Sequence, residues 1–477
     1  MRTNSFYSTA ALVFFLPVLC LAPGCTSTAR YDGAAVSSLV EERLSKKVYW
    51  QDSVVDVSAQ EALVNELLKT ELNADTALQV ALFNNPRLQA TFEDIGVAHA
   101  DLIETGLLQN PAVGLSFRYA EHSASTGSAF SLTQNFIDLF LISAKKKLSA
   151  QKLEQAHLQV SKAVLDLALE VRSGFYELQA ELLKREALES VSELTEIVSL
   201  LAERQHEQGN VDKLEAQASV EAYFADKLEY AKSQITATTL IEKMNRLLGL
   251  STSRATWKAS QAIPDPLPLP SADDLSADDL EKIAMSNRLD LQLARLEVEQ
   301  IKKSATLNEW WKFTEGAAGI DMEREVGGQK SMGPAISGSI PIFNFGQADR
   351  LRISHLLSQS LKKVKALEIQ IASEVRQSDK EVRTNQELAL FFLNERLPLQ
   401  QRNTELTQKR YNAMTVGVYQ LLHSKKREFE LKILYYDSLK NYWTAKAELD
   451  HVLGGDLALL EQRAKMQAEK ELLDDVN

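Results

Sequence analysis

Residues 160–182 read VSKAVLDLALEVRSGFYELQAEL and form the centre of a helical stretch that runs from about Ala144 to Gln208. The stretch contains no proline and a single glycine, Gly174. At 1.5 Å per residue, an unbroken helix of this length would be about 100 Å long. Apolar residues recur at steps of four and three, as in a coiled coil: Val160, Val164, Leu167, Val171, Phe175, Leu178 and Leu182. The stretch therefore predicts a long helical rod and not the core of a compact domain.

The segment 76–108 also has a helical period, and a pattern of alternating apolar residues follows it. After Pro111 the period changes from 3.6 to 2 in two runs of about ten residues, joined by a polar loop over 121–127. The apolar members of these runs are Val113, Leu115, Phe117, Tyr119, Phe130, Leu132 and Phe136. Their alternation with small or polar residues is typical of membrane-barrel strands around a wet lumen. A soluble, half-buried hairpin alternates in the same way.

The chain then repeats itself at an offset of about 200 residues. Each copy contains a helix, a hairpin, a long helix, a turn and a further helix, and Gly417 is expected where Gly209 stands in the first copy. The sequence predicts a signal peptide, an anchored segment, the first repeat, a proline-rich linker, the second repeat and a tail, over residues 1–24, 25–75, 76–250, 251–276, 277–454 and 455–477. A chance alternation would not recur in register, so the repeat favours membrane strands.

The N-terminus has the pattern of a bacterial lipoprotein signal. Arg2 precedes an apolar run over 10–21, which has the length of a signal-peptide core and is short for a bilayer-spanning helix. The run leads to LAPGC, residues 21–25, which resembles a lipobox and implies cleavage before Cys25 and its acylation by palmitate. Because Thr26 is not aspartate, the resemblance also implies the outer membrane. The alternative is an ordinary exported protein with an unmodified cysteine.

Charge and motifs exclude several functions. The net charge of −12 argues against nucleic-acid binding, which needs a basic surface. The sequence contains no P-loop, no His-Glu-x-x-His and no Gly-x-Ser-x-Gly motif. The histidines are scattered, so we expect no enzyme activity, no cofactor and no metal site.

Four strands per chain are too few to close a barrel, for which about eight are needed. Backbone groups at an open edge have no partner in lipid, so membrane strands require two, three or more copies of the chain. Aromatic residues near the strand ends are typical of an interfacial belt, although they could also pack at strand–helix junctions: Phe136, Phe140, Trp310, Trp311, Phe313, Phe343 and Phe345.

Over residues 76–454 the chain resembles the TolC-like family of outer-membrane efflux ducts, in its lipoprotein branch. The resemblance rests on the repeat, on the junctions IDLF (137–140) and PIFNFG (341–346), and on RYNAMTVGVYQLL (410–422). It implies a mainly α fold with a membrane β-barrel: long antiparallel coiled-coil helices and four β-strands per chain. In a homotrimer these would form a twelve-stranded barrel and a helical periplasmic tunnel. The first junction lacks the glycine that Gly346 supplies in the second.

The resemblance also implies a function and partners. The chain would be the exit duct of a tripartite efflux system, which receives substrates from an inner-membrane pump through a periplasmic adaptor (membrane fusion) protein. The alternative is a lipid-anchored periplasmic coiled-coil scaffold without a channel. The two turns would face the adaptor, through Gly209, Asn210, Val211, Val416, Gly417 and Val418. Alternatively, each glycine only ends a helix in the left-handed conformation.

By the same resemblance, acidic side chains near the tips would form a ring that narrows the pore. Asp212 and Glu215 are the candidates, and such a ring would attract cations. Asp-x-x-Glu also resembles a capping box, which would only satisfy the free amides of the next helix. His423 is a further gate candidate and would respond to mild acid in the pore. Its alternative is a solvated helix face.

Overall fold

The structure, a computed structural model, describes residues 34–50, 54–119, 126–251, 257–269, 276–310, 316–339 and 342–463. The predicted signal peptide and the lipid-attachment residue Cys25 lie outside these residues. So do most of the predicted hairpin loop, Trp311 and Phe313, and the side chain of Trp310.

In the described part of the chain, two helices precede the first repeat: α1 (Ala34–Leu44) and α2 (Val54–Leu67). The repeat itself consists of α3 (Ala74–Asn84), α4 (Pro86–Gly106), β1 (Ala112–Tyr119), β2 (Thr126–Asn135), α5 (Ile137–Glu207) and α6 (Lys213–Leu247). The predicted long helix is therefore confirmed as α5, which has 71 residues and begins directly after β2. Its predicted seam is buried from Val160 to Leu178.

The second repeat has the same order of elements. It consists of α7 (Ala277–Asn287), α8 (Leu289–Trp310), β3 (Gly316–Arg324), β4 (Lys330–Gly338), α9 (Gln347–Phe391), a π-helical turn (Phe392–Arg396), α10 (Leu397–Asn412) and α11 (Val418–Leu453). The four strands form one antiparallel sheet in the order β1-β2-β3-β4. The two hairpins are thus joined side by side, through eight residue pairs between β2 and β3 that include Phe130–Met322.

Three helical predictions were wrong in detail. The segment 76–108 is two helices, because Pro86 has no N–H to continue α3 and disfavours a helical Asn85 before it. The second copy breaks at the same place, with Arg288 in an extended conformation. The long helix of the second copy, predicted as one piece, widens into the π turn just before Pro398, which cannot donate to a preceding carbonyl. Helix α2 was not foreseen.

The described part of the linker between the repeats, residues 257–269, lies against α11. The indole N–H of Trp443 donates to the carbonyl of Pro264 at 2.8 Å, and the hydroxyl of Tyr442 donates to that of Leu267 at 3.0 Å. The hydroxyl of Tyr435 donates to a carboxylate oxygen of Asp265 at 3.0 Å. These bonds satisfy carbonyls of a segment that forms no regular structure, and fix it on the helical core.

The N-terminal segment is fastened to the second repeat by Arg43 of α1. In the first repeat, the side-chain amide of Asn84 donates to the carbonyls of Leu248 and Gly249, at 2.9 and 2.8 Å. In the second repeat, the corresponding donor is the guanidinium of Arg43, which donates to the carbonyls of Asn287 and Gly454 at 2.5 and 2.8 Å. Burial lowers the pKa of Arg43 to about 10, so the group is still charged at neutral pH.

We predict that Arg43→Met lowers the free energy of unfolding by about 2 kcal/mol, because two buried carbonyls lose a charged donor while the aliphatic volume remains. Thermal unfolding of the purified protein measures the change. Lys282→Met is the control: it breaks an ion pair with Asp279 that is exposed on the surface of α7 and should leave the transition unchanged. An equal effect of both substitutions would contradict a special role for Arg43.

Candidate functional site

One face of the sheet is apolar, and no part of the chain that the structure describes covers it. The side chains of Leu115, Phe117 and Ile336 are 68%, 62% and 82% exposed. The register places Leu115 opposite Phe130, and Phe130 opposite Met322, so the apolar residues of all four strands share this face. A soluble half-buried hairpin would cover its apolar face with its own core. An exposed apolar surface of this kind favours contact with lipid or another molecule.

The opposite face of the sheet is built from small and polar residues. Glycine, alanine, serine, threonine and asparagine fill most of its positions, and Arg118, Asp321 and Glu323 supply its charges. Arg118 on β1 reaches across β2 to Glu323 on β3, with Nη1 and Oε1 2.5 Å apart. The two faces therefore differ in polarity as the strands of a membrane barrel do.

The two edges of the sheet are open. Strands β1 and β4 are its outer members, and neither has a second neighbour among the described strands. Their outer N–H and C=O groups can be paired by strands of other copies of the chain.

An asparagine organises each passage from strand to long helix. In the first junction, the side-chain oxygen of Asn135 accepts the N–H of Ile137 at 3.0 Å, and α5 starts at once. In the second, Asn344 accepts the N–H of Gly346 at 3.0 Å, and Gly346 has a left-handed conformation with φ of 72°. The first junction, which lacks this glycine, therefore passes from strand to helix more directly than the second.

Aromatic side chains near these junctions are exposed. Phe140 is 79% and Phe343 is 91% exposed, and Phe345 is also largely exposed. The alternative of ordinary packing within the chain is therefore not supported for these three residues. Their positions beside the strands agree with an interfacial belt, which stays a prediction.

The first tip, between α5 and α6, is a Schellman motif. Gly209 has φ of 74°, its N–H donates to the carbonyl of His206 at 2.9 Å, and the N–H of Asn210 donates to that of Gln205 at 2.8 Å. An added Cβ at Gly209 would meet no atom within 4 Å. Gly209 therefore ends the helix in the left-handed conformation, which was the alternative to a role in adaptor contact. Asn210 is exposed, and Val211 is half-buried.

At the second tip, the expected equivalence of Gly417 and Gly209 is wrong. Met414 has the left-handed conformation, with φ of 57°, and its N–H donates to the carbonyl of Tyr411. The N–H of Thr415 donates to that of Arg410, which completes the same motif. Gly417 is extended, with φ of −79° and ψ of 165°, and is the N-cap of α11. Val416 and Val418 flank it, half-buried.

The three gate candidates are exposed on the tips. Asp212 is the N-cap of α6, and its carboxylate accepts the N–H of Glu215 at 2.8 Å, so the capping alternative is confirmed for this residue. His423 lies on α11, four residues beyond Tyr419. A role of Asp212, Glu215 and His423 in a pore stays a prediction, since one chain does not form one.

Two contacts between the helical hairpins, α5–α6 in the first repeat and α10–α11 in the second, were not predicted from the sequence. The hydroxyl of Tyr419 donates to the side-chain oxygen of Gln205 at 2.8 Å, and burial, followed by the charge of Glu215, raises the pKa of Tyr419. Further along, Lys426 and Asp226 form an ion pair at 2.6 Å. Each contact joins residues of different repeats, so no local pattern in the sequence signals it.

Two features are absent from the described residues. None of their helices is both long enough and apolar enough to cross a membrane. In the same part of the chain, no three His, Cys, Asp or Glu side chains come together as a possible metal site.

The chain has the fold of outer-membrane channel proteins, as the resemblance to the TolC-like family predicted. CmeC, an outer-membrane channel of Campylobacter jejuni, has a TM-score of 0.63 at 14% identity, over 88% of this chain and 92% of its own. VceC, an outer-membrane protein of Vibrio cholerae, has a TM-score of 0.60 at 14% identity, over 85% and 98%.

A third solved structure, CusC, was studied for its folding and transmembrane channel formation. It has a TM-score of 0.58 at 16% identity, over 81% of this chain and 93% of its own. The sequence matches no protein-family profile and no curated protein.

The left-handed residue is Gly209 at the first tip and Met414 at the second, so we expect substitutions there to have opposite effects on stability. Met414→Gly should stabilise its tip by about 1 kcal/mol, and Gly209→Ala should destabilise its own by a similar amount, because only glycine adopts the left-handed conformation without strain. Amide hydrogen exchange at each tip measures the changes. Gly417→Ala is the control and should have little effect, since the residue is extended and an added Cβ meets no atom within 4 Å. Faster exchange in Met414→Gly would contradict this account.

Proposed function

We propose that three copies of this chain form a lipid-anchored exit duct in the outer membrane. The observation that carries the proposal is the sheet: it has open edges, an uncovered apolar face and a polar face, and it continues directly into long helices. Three four-stranded sheets would close a twelve-stranded barrel. Helix α5 alone, at 71 residues, would extend about 105 Å away from it.

Exposed apolar residues on the helices support association of the chains. On α6, Phe224, Leu228 and Ile235 are 61%, 56% and 69% exposed. They are four and seven residues apart and so lie along one side of the helix. A solvated coiled coil would carry polar residues here, whereas a tunnel wall would bury this stripe against a neighbouring copy.

The exported substrates would enter the tunnel at the tips. We propose that the tips formed by Gly209, Asn210, Val211, Val416, Gly417 and Val418 contact a periplasmic adaptor, which connects the duct to an inner-membrane pump. Asp212, Glu215 and His423 would line the narrow end of the closed tunnel. The bonds from Tyr419 to Gln205 and from Lys426 to Asp226 hold the two helical hairpins of a chain together there, so an opening that separates these hairpins would break them.

The proposed anchor is Cys25, and the segment 25–75 would lead from the membrane to the helical body. Helix α1 lies within this segment, and its Arg43 binds the second repeat. The rival function, a periplasmic scaffold without a channel, also fits the coiled coils and the anchor. It leaves the apolar face of the sheet in water, which is unfavourable for a surface of this size.

Single cysteines on the two faces of the sheet distinguish the duct from the scaffold. Val113→Cys and Ile336→Cys lie on the apolar face, and we predict that a lipid-phase probe labels them in outer membranes while an aqueous reagent does not. Ser116→Cys and Ser337→Cys are the matched controls on the opposite face of the same strands. They should react with the aqueous reagent.

Labelling is compared with that of the unsubstituted protein, which accounts for Cys25. Aqueous labelling of all four positions would show that both faces are in water. That result would refute the duct and support the scaffold.

A further inference from the structure

The apolar face of the sheet ends in two positive charges. Arg324 is the last residue of β3 and Lys330 is the first of β4, and the register places them directly opposite each other. Met322 and Met332 form the corresponding pair two residues further from the turn, and they lie on the apolar face. Because side chains alternate along a strand, Arg324 and Lys330 lie on that face too, and both are exposed. In the proposed duct, this is the face that contacts lipid.

The two charges are uncompensated. No carboxylate occupies this face at any described strand position, and within the described residues neither side chain forms an ion pair or a hydrogen bond. Like charges directly opposite each other in a sheet repel, since their Cβ atoms are about 5 Å apart. On the polar face, by contrast, Arg118 is neutralised by Glu323. The sheet therefore pairs its cation on one face and leaves two adjacent cations on the other.

The pair lies at the loop end of the strands, far from the helices. The register places Phe117 and Ser128 in the same row across the sheet, and Tyr119 one row further out. Phe117 and Tyr119 are 62% and 80% exposed. Exposed aromatic residues at the end of a strand are typical of the boundary between the hydrocarbon and the headgroups. In the proposed duct the helices extend into the periplasm, so this boundary belongs to the outer leaflet.

The turn between β3 and β4 fixes the backbone that carries the pair. The N–H of Glu325 donates to the carbonyl of Gln329 at 2.9 Å, and the N–H of Gly328 donates to that of Glu325 at 2.9 Å. Gly328 has a left-handed conformation, with φ of 88°. Because the strands are joined up to the turn, the two cations are held side by side before any ligand arrives, which lowers the entropy lost on binding.

We propose that Arg324 and Lys330 of each copy bind the phosphate of a lipid headgroup in the outer leaflet. The inference rests on the proposed duct, since only insertion brings this face to lipid. A guanidinium donates two parallel hydrogen bonds to a phosphate, and an ammonium adds a further charged donor. A phosphate between the two cations replaces their mutual repulsion by attraction to both.

The apolar residues beside the pair favour a lipid over a free phosphate ion. Met322 and Met332 lie directly next to the two cations, on the side towards the helices. Acyl chains of a lipid whose phosphate is held by the pair would run along these side chains and bury apolar surface. A free phosphate gains nothing from that surface.

Lipid binding to the intact complex in mild detergent, followed by native mass spectrometry, tests the inference. The probe is lipid A with two phosphate groups, and phosphatidylcholine, whose phosphate lies beside its own cation, is the comparison lipid. The wild type should retain lipid A in preference to phosphatidylcholine. The double variant Arg324→Gln, Lys330→Gln should weaken lipid A binding several-fold, and each single substitution should weaken it by a smaller factor.

The double variant Lys362→Gln, Lys380→Gln is the matched control. It also removes two exposed positive charges, but from helix α9, outside the sheet, where neither lysine forms an ion pair within the described residues. It should bind lipid A as the wild type does. An equal loss in this variant would show attraction by overall charge and would overturn the inference.

Wild-type binding of lipid A by Arg324→Gln, Lys330→Gln, at an unchanged oligomer mass, would also overturn the inference. If this variant does not assemble, wild-type binding by both single variants would do the same. Displacement of lipid A by an equal concentration of inorganic phosphate would overturn it too, because the site would then recognise the free ion. None of these results would contradict the duct, which the labelling of Val113→Cys and Ile336→Cys tests separately.

Discussion

In the proposed duct, every backbone polar group of the sheet must be paired, because the sheet meets lipid. Four strands form a sheet with two free edges, and in hydrocarbon each unpaired N–H or C=O would be strongly unfavourable. One chain cannot remove these edges by itself. Its apolar face is likewise uncovered, at residues such as Leu115 and Ile336. The free edges are paired if copies of the chain join edge to edge, and the apolar face is covered if the resulting barrel lies in lipid. Together these would account for a fold that is incomplete as a monomer.

Each repeat contributes two strands and a pair of long helices to the structure. Comparison of the two copies shows where the backbone geometry is the same although the side chains differ. A left-handed residue ends the long helix at both tips, yet it is Gly209 in one and Met414 in the other. In each repeat, the break between the first two helices is held against the end of the last helix. Asn84 makes this connection in the first repeat, and Arg43 of the N-terminal segment makes it in the second. The geometry is therefore shared, while different side chains provide it in each copy.

Much of the fold follows from periodicity. The change from a period of 3.6 to a period of 2 located all four strands, and the absence of proline located α5. Local breaks were less visible, since Pro86 and Pro398 stand inside patterns that otherwise read as one helix. At the second tip, the preference of glycine for turns points to Gly417, but the hydrogen bonds put Met414 in the left-handed position. Contacts between repeats, such as Tyr419 with Gln205, join residues far apart in the chain and leave no local pattern.

In the proposed duct, the sheet is one third of a closed barrel. The most direct measurement is the mass of the intact complex, extracted from membranes in mild detergent and measured by native mass spectrometry. We expect three copies of the processed chain, which together supply twelve strands and leave no free edge. A complex of one copy would contradict the account, because its open sheet could not remain in lipid. Two copies would supply eight strands, and would refute the trimer.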